Sequence, residues 1–400
     1  MDLRLTDDEI RFREEVRAWI QAALPADIRA KCVLGQRLSK DELKRWQRIL
    51  HDKGWATPAW APDWGGTGWS AVQQYIFKEE LHMAPAPEPL SFNVNMIGPT
   101  LIAFGTEEQK RHFLPRISSL EYWFCQGFSE PGAGSDLAAL RTTAVRDGDH
   151  YVINGQKLWT STAHHAEWCF LLVRTDPQAK KQQGITYLLM DMRTPGITVR
   201  PIITLDGHHE TNEMFLENVR VPVANRLGEE NKGWDYAKYL LGHERSGIAR
   251  VGVSKMRLRR AVELSKRVPV GSGTLADDPR FQERVAALEV ELKALEITQM
   301  RVIAESARHT SSGKPDPKGS SLKLKGSELQ QAATGLLLEV AAYDAFEFDQ
   351  DFVRGLREGD DDLDWARAVA PNHYFARHVS IVGGSNEIQR NILAKTVLGL

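Results

Sequence analysis

The hydrophobic period changes twice along the chain. From residue 5 to about 118, apolar positions recur every three or four residues, the spacing of amphipathic helices. Thr6 and Glu9 form a capping box ahead of the stripe Phe12, Val16, Trp19, Ile20 and Ala23. Ser39 and Glu42 repeat it ahead of Leu43, Trp46, Ile49 and Leu50, and Gly54 closes that helix. Further helices are predicted from Ser70 to about Met83, over 92–104 and over 106–118. From Tyr122 to about Leu227 the pattern shortens to β-branched and aromatic runs between turn residues. Examples are Tyr151-Val152-Ile153, with Asn154-Gly155 read as the following turn, and the runs starting at Cys169, Ile185, Ile197 and Val219. After Gly233 helical spacing returns over 233–266, 279–308, 321–347 and about 364–380, with a last short helix from about Ser385. The pattern predicts an α+β multidomain chain: a helical N-terminal domain (1–120), a central antiparallel β-barrel-like domain (121–228) and a C-terminal four-helix bundle (229–400).

Composition narrows the partners. With 42% hydrophobic and 26% charged residues, the chain falls in the soluble globular class. A net charge of -2 argues against nucleic acid as a partner. The opening stretch MDLRLTDDEIRFREE lacks the apolar core of a signal peptide, and no apolar run approaches the roughly 20 residues of a membrane span. A cytoplasmic protein is expected. Cys32, Cys125 and Cys169 are too scattered for a disulfide framework or a zinc site. The adjacent pairs His164-His165 and His208-His209 read as surface or turn residues, so no metal is expected.

Four stretches carry candidate chemistry. Gln126 to Asp136 (QGFSEPGAGSD) packs three glycines and a proline after the aromatic run Tyr122-Trp123-Phe124. A strand feeding such a loop can aim backbone N–H groups at a polar ligand, although a plain tight turn would use the same residues. Gln156 to Ser161 (QKLWTS) is polar around Trp159, which alone would read as a core aromatic. Gly242 to Ser246 (GHERS) puts Glu244 and Arg245 on a helix, where such a pair is ordinarily surface charge. Gly383 to Arg390 (GGSNEIQR) sets two glycines before a helix cap at Ser385.

Together with FGTEEQKRHFLP at 104–115, these motifs span nearly the whole chain, and in this order the sequence resembles the acyl-CoA dehydrogenases. The resemblance implies FAD as cofactor, α,β-dehydrogenation of an acyl-CoA thioester, and an electron-transfer flavoprotein as acceptor. It implies that Gln126, Phe128, Ser129, Ser135, Trp159, Ser161 and Ser385 contact FAD, and that Ser135, Leu241 and Arg245 contact the substrate. Many members carry the catalytic base at the position of Gly383, which here has no side chain. A minority carry it on the first helix of the C-terminal bundle, at the position of Glu244, which becomes the expected base. The family's adenosine-side motifs are not recognisable: Arg267 to Gly273 lacks the usual Phe, and Phe346 to Gln350 lacks a following glycine pair. A second homologous subunit in an α2β2 assembly would supply them; a homo-oligomer would lack them. Asn231 to Tyr236 is similar to the branch that includes the pimeloyl-CoA dehydrogenase large subunit. An oxygen-using acyl-CoA oxidase and a silent scaffold subunit remain the alternatives.

Overall fold

A computed structural model describes residues 4–244, 249–306, 318–359 and 361–400. The N-terminal helices are α1 (Asp7–Ala23), α2 (Ala26–Leu34), α3 (Lys40–Asp52), α4 (Ala71–Met83), α5 (Gly98–Phe104) and α6 (Glu107–Ser118), with a π-helical segment at Phe92–Ile97. The strands are β1 (Phe124–Gly127), β2 (Thr143–Asp147), β3 (His150–Lys157), β4 (Trp168–Arg174), β5 (Ile185–Asp191), β6 (Ile197–Ile203) and β7 (His209–Pro222). The C-terminal helices are α7 (Gly233–Glu244), α8 (Val251–Ser265), α9 (Pro279–Ser306), α10 (Lys318–Ala341), α11 (Gln350–Val353), α12 (Asp364–Arg367), α13 (Val369–Phe375) and α14 (Asn386–Leu393). The first helices start where their caps predict. Thr6 and Glu9 bond reciprocally across the start of α1, and Ser39 and Glu42 do so before α3.

The chain divides into two compact units, one of residues 47–68 and 89–244, the other of residues 1–46, 69–88 and 245–400. The first is built on a seven-stranded sheet in the order β1-β4-β2-β3-β7-β6, with β5 also on β4. Pairing is antiparallel except between β1 and β4 and at the Thr143–Arg174 contact. The sheet is therefore mixed where the sequence suggested a purely antiparallel one. β4 and β5 are buried on both faces, which explains their unbroken apolar runs. Phe170, Leu172, Tyr187 and Leu189 meet the helices through Leu101, Phe113, Ala237 and Leu240. The opposite face, with Leu171, Val173, Leu188 and Met190, meets Tyr151, Ile153, Met214 and Val219 of the sheet's own outer strands, so the sheet curls over itself. Buried Asn93 fixes where β1 begins: its amide bonds the carbonyls of Ile117 and Tyr122 and accepts from the Phe124 N–H at 2.9 Å.

The expected Asn154-Gly155 turn is absent. β3 runs through both residues, and the irregularity lies opposite, where β7 fits an extra residue at Asn218 with φ +51°. Gly155 has φ +155° and an added Cβ would lie 2.6 Å from the Thr142 hydroxyl, so close strand approach is what requires this glycine.

In the second unit α10 is central and packs on α8, α9, α13 and α14. Gly326 lets α10 approach the backbone at Ala249, since a Cβ there would stand 2.6 Å from the Ala249 Cα. The single helix expected over 233–266 is interrupted. α7 ends at Glu244 and α8 starts after Arg250, which takes the N-cap position with φ +46° and no side-chain cap bond. α2 was not foreseen; it ends on Gly35 in the left-handed conformation.

Candidate active site

The loop after β1 is held from beneath by a buried ion pair. Lys157, fully buried at the end of β3, donates to Glu130 Oε1 at 2.8 Å and to the carbonyls of Phe128 and Leu172 at 3.2 and 2.7 Å. Glu130 also accepts the backbone N–H groups of Arg141 and Thr142 at 2.6 and 2.9 Å. Burial pushes the Glu130 carboxyl up, but the Lys157 ammonium and these hydrogen bonds outweigh it and leave its pKa below the ordinary value. For Lys157 burial wins, and its pKa is lowered despite Glu130. The pair turns the chain back between Glu130 and Ala133, whose N–H and C=O groups bond each other. Gly132, Gly134 and Ser135 are thereby presented outward, and a Cβ added at either glycine would meet nothing within 4 Å.

Lys157 was not singled out in the sequence, yet a signal was present. It shares strand parity with buried Tyr151 and Ile153, so alternation on β3 sends it inward.

The second limb follows at once. The Leu158 N–H donates to the Ser129 carbonyl at 2.9 Å, joining the two loops. Trp159 then adopts φ +60° and is 59% exposed, the reverse of the core position its residue type suggests. Thr160 beside it is buried, and its hydroxyl has no hydrogen-bond partner among the described residues. Ser161 is half-buried. Asn212 of β7 anchors this limb: its amide donates to the Thr160 carbonyl at 2.9 Å, contacts His164 Nδ1 at 3.1 Å, and its oxygen meets His209 Nε2 at 2.7 Å. The histidine pairs, distant in sequence, converge here. His164 stacks on His209 with ring centroids 3.9 Å apart and meets His165 at 4.0 Å. Burial, then the neighbouring imidazoles, lowers the His164 pKa to about 4, so His164 is neutral near pH 7.

The remaining expected residues divide by what their side chains do. Gln126, on β1, and Ser129, on the loop after it, are half-buried. The Phe128 ring is committed to the core, edge-on to Phe170 and Tyr187 at 5.7 and 6.0 Å, so only its backbone is available to a ligand. Leu241 lies on α7, half-buried against the helical face of the sheet's core. Glu244 is the last residue of α7, and Arg245 lies outside the described residues. In the other unit the Ser385 hydroxyl accepts from the Ile388 N–H at 3.4 Å and caps α14. Gly383 and Gly384 before it take φ +65° and +83°, with their carbonyls held by buried Gln389.

The acyl-CoA dehydrogenase family matches along the chain by its N-terminal domain over residues 6–121, its middle domain over 125–219 and its C-terminal domain over 231–398. Acyl-CoA dehydrogenase FadE26 of Mycobacterium tuberculosis (strain ATCC 25618 / H37Rv) is 38% identical, over 100% of this chain and 99% of its own. A chain of the ChsE4-ChsE5 complex from Mycobacterium tuberculosis superposes with a TM-score of 0.84 at 34% identity, covering 100% of this chain and 99% of that one. A solved Tcur3481-Tcur3483 steroid ACAD gives a TM-score of 0.86 at 30% identity, with coverage of 100% and 99%.

Proposed function

The chain belongs to the acyl-CoA dehydrogenase family, and we propose that it dehydrogenates its acyl-CoA thioester at the α,β bond with FAD as cofactor and Glu244 as base. The observation that carries the FAD reading is the exposed Trp159 beside the unpartnered Thr160 hydroxyl and the open face of Gly132 and Gly134. A planar, polar ring fits that combination, since it covers the indole and offers the buried hydroxyl a partner. Backbone groups of Gln126, Phe128 and Ser129, with Trp159 and Ser161, would hold the ring side. Ser135 would meet the pyrophosphate or the pantetheine arm. Ser385 would help from its turn, and Leu241 and Arg245 would contact the substrate. FAD, when bound, supplies the acceptor for the hydride leaving the substrate's Cβ.

The chain's own part is the proton. The α hydrogen of a thioester is weakly acidic, so its removal needs a carboxylate fixed beside it and water kept away. Gly383 has no side chain to offer, which leaves the role to Glu244 at the end of α7. Glu244→Gln should retain its flavin spectrum and lose turnover by about a thousandfold. Turnover near that of the wild type would remove Glu244 from the mechanism.

A second homologous subunit completes the proposal, with an electron-transfer flavoprotein as the electron acceptor. Its support is the aromatic surface left by Tyr343, Phe346 and Phe348, where the family's adenosine-side glycines are missing. The solved ChsE4-ChsE5 complex and the Tcur3481-Tcur3483 steroid ACAD, both similar to this chain, each pair two named proteins. The steroid enzyme among them favours a steroid-derived acyl group over a dicarboxylic one. Purification alone and with a co-expressed homologue tests the assembly: the lone chain should be colourless and the complex yellow. A screen of steroid-derived and dicarboxylyl thioesters, with dye and with oxygen as acceptors, then separates the substrates and excludes or identifies an oxidase.

A further inference from the structure

The helical unit contains a cavity of about 650 Å³ bounded by α1, α4, α8 and α9. Its volume lies within the range of small-molecule pockets, about 300–1,000 Å³. The charges lining it are unequal in number. Arg13, Arg17, Lys255, Arg259 and Lys293 share the wall with Glu79, Glu80 and Glu296.

Each of those carboxylates already has a cation. Glu80 receives a two-point bond from Arg17 at 2.8 and 2.9 Å. Lys255 bridges Glu79, at 3.1 Å, and Glu296, and Lys293 reaches Glu296 at 3.1 Å. Tyr75 also donates to Glu296, at 3.1 Å. Against the opposing effect of burial, these ion pairs hold the pKa of Arg17 and Lys255 up and that of Glu296 down.

Arg13 and Arg259 are left with no carboxylate among the described residues, and the Arg13 Nε is buried without a hydrogen-bond partner. A guanidinium with an unbonded buried donor is costly, and its fork matches a carboxylate in two-point geometry. Leu5, Ile76, Met83, Ile297 and Met300 make the rest of the lining apolar, with two flexible thioethers that can adapt to a chain. Glu79 Oε1 is also buried and unbonded, leaving an acceptor for a hydroxyl or a water.

We propose that this cavity binds an amphipathic carboxylate, with its anionic end on Arg13 and Arg259 and its hydrocarbon against Leu5, Ile76, Met83, Ile297 and Met300. The site shares no residue with the dehydrogenation machinery proposed above, so it would sense a fatty acid independently of turnover.

Calorimetric titration of the full-length protein with decanoate tests this, with a CoA thioester present in saturating amount. One decanoate should bind per chain. Arg13→Gln and Arg259→Gln should each weaken it by about tenfold or more, and uncharged decanol should bind as poorly as decanoate does to the double variant. Ile297→Trp, at the exposed rim, should block the cavity without opening the core, and it serves if the arginine variants melt early. The proposal is overturned by a wild type that does not bind decanoate, by unchanged affinity in the arginine or Trp variants, by decanol matching decanoate in the wild type, or by competition from the CoA thioester.

Discussion

Glu130 in the sheet unit and Glu80 in the helical unit are buried to the same degree, with 7% of each side chain exposed, but their cations are not. Lys157 is 0% exposed and Arg17 is 51% exposed. Both pairs have good distances, 2.8 Å in each case. The difference is what stands ready to replace a lost partner. Water can reach the place of Arg17, whereas nothing but protein surrounds the place of Lys157. An ion pair therefore fixes the loop after β1 far more firmly than a similar pair fixes α1 to α4, because its removal strands a charge.

Lys157→Met should have the largest effect. It leaves the Glu130 carboxylate buried without its ammonium and frees the carbonyls of Phe128 and Leu172. A loss of about 3–5 kcal/mol is expected in urea unfolding. A loss under about 1 kcal/mol would mean that water reaches this site after all, and the contrast with Arg17 would collapse.

Glu130→Gln should cost less, about 2 kcal/mol near pH 7, because the amide keeps an oxygen for Lys157. Its sharper signature is in acid. The Glu130 carboxyl is held below its ordinary pKa in the folded protein, so its contribution is complete above the unfolded value of about 4.3 and disappears as pH falls through the folded value. The wild type should lose stability with this group as pH falls below the unfolded value of about 4.3, and Glu130→Gln should flatten that limb. An unchanged acid limb in a urea titration series would show that Glu130 is not the group being protonated.

The sequence exposed the parts of this arrangement that rest on local chemistry. Thr6 with Glu9 and Ser39 with Glu42 mark helix starts because the cap is made within four residues. The Gln126–Asp136 loop stood out because its glycines and proline have few other uses. What escaped notice depends on residues brought together from afar. Strand parity turns Lys157 inward, but its partners Glu130 and the Leu172 carbonyl of β4 come from afar, and the two histidine pairs meet only because β7 returns beside β3. The break between α7 and α8 escaped for another reason. Arg250 takes a left-handed conformation that its residue type does not advertise, in a stretch whose apolar spacing is helical throughout. Asn154-Gly155 misled in the opposite sense: a strong turn signal was overridden by the close approach of Thr142.

The smallest effect belongs to Arg17→Met, and it is the one that sharpens the comparison most. The methionine keeps much of the aliphatic stem along α1 and deletes only the guanidinium. Glu80 then loses both bonds from Arg17, yet water entering where the exposed guanidinium stood can solvate the same oxygens. A loss of about 1 kcal/mol or less is expected, and added salt should reduce the difference from the wild type further. The corresponding salt response at Lys157→Met should be small, because counterions do not screen a pair that solvent cannot reach. If Arg17→Met instead cost as much as Lys157→Met, with no salt dependence, exposure of the cation would not set the worth of a pair with a buried carboxylate. The loop would then owe its rigidity to the backbone bonds from Arg141 and Thr142 rather than to Lys157.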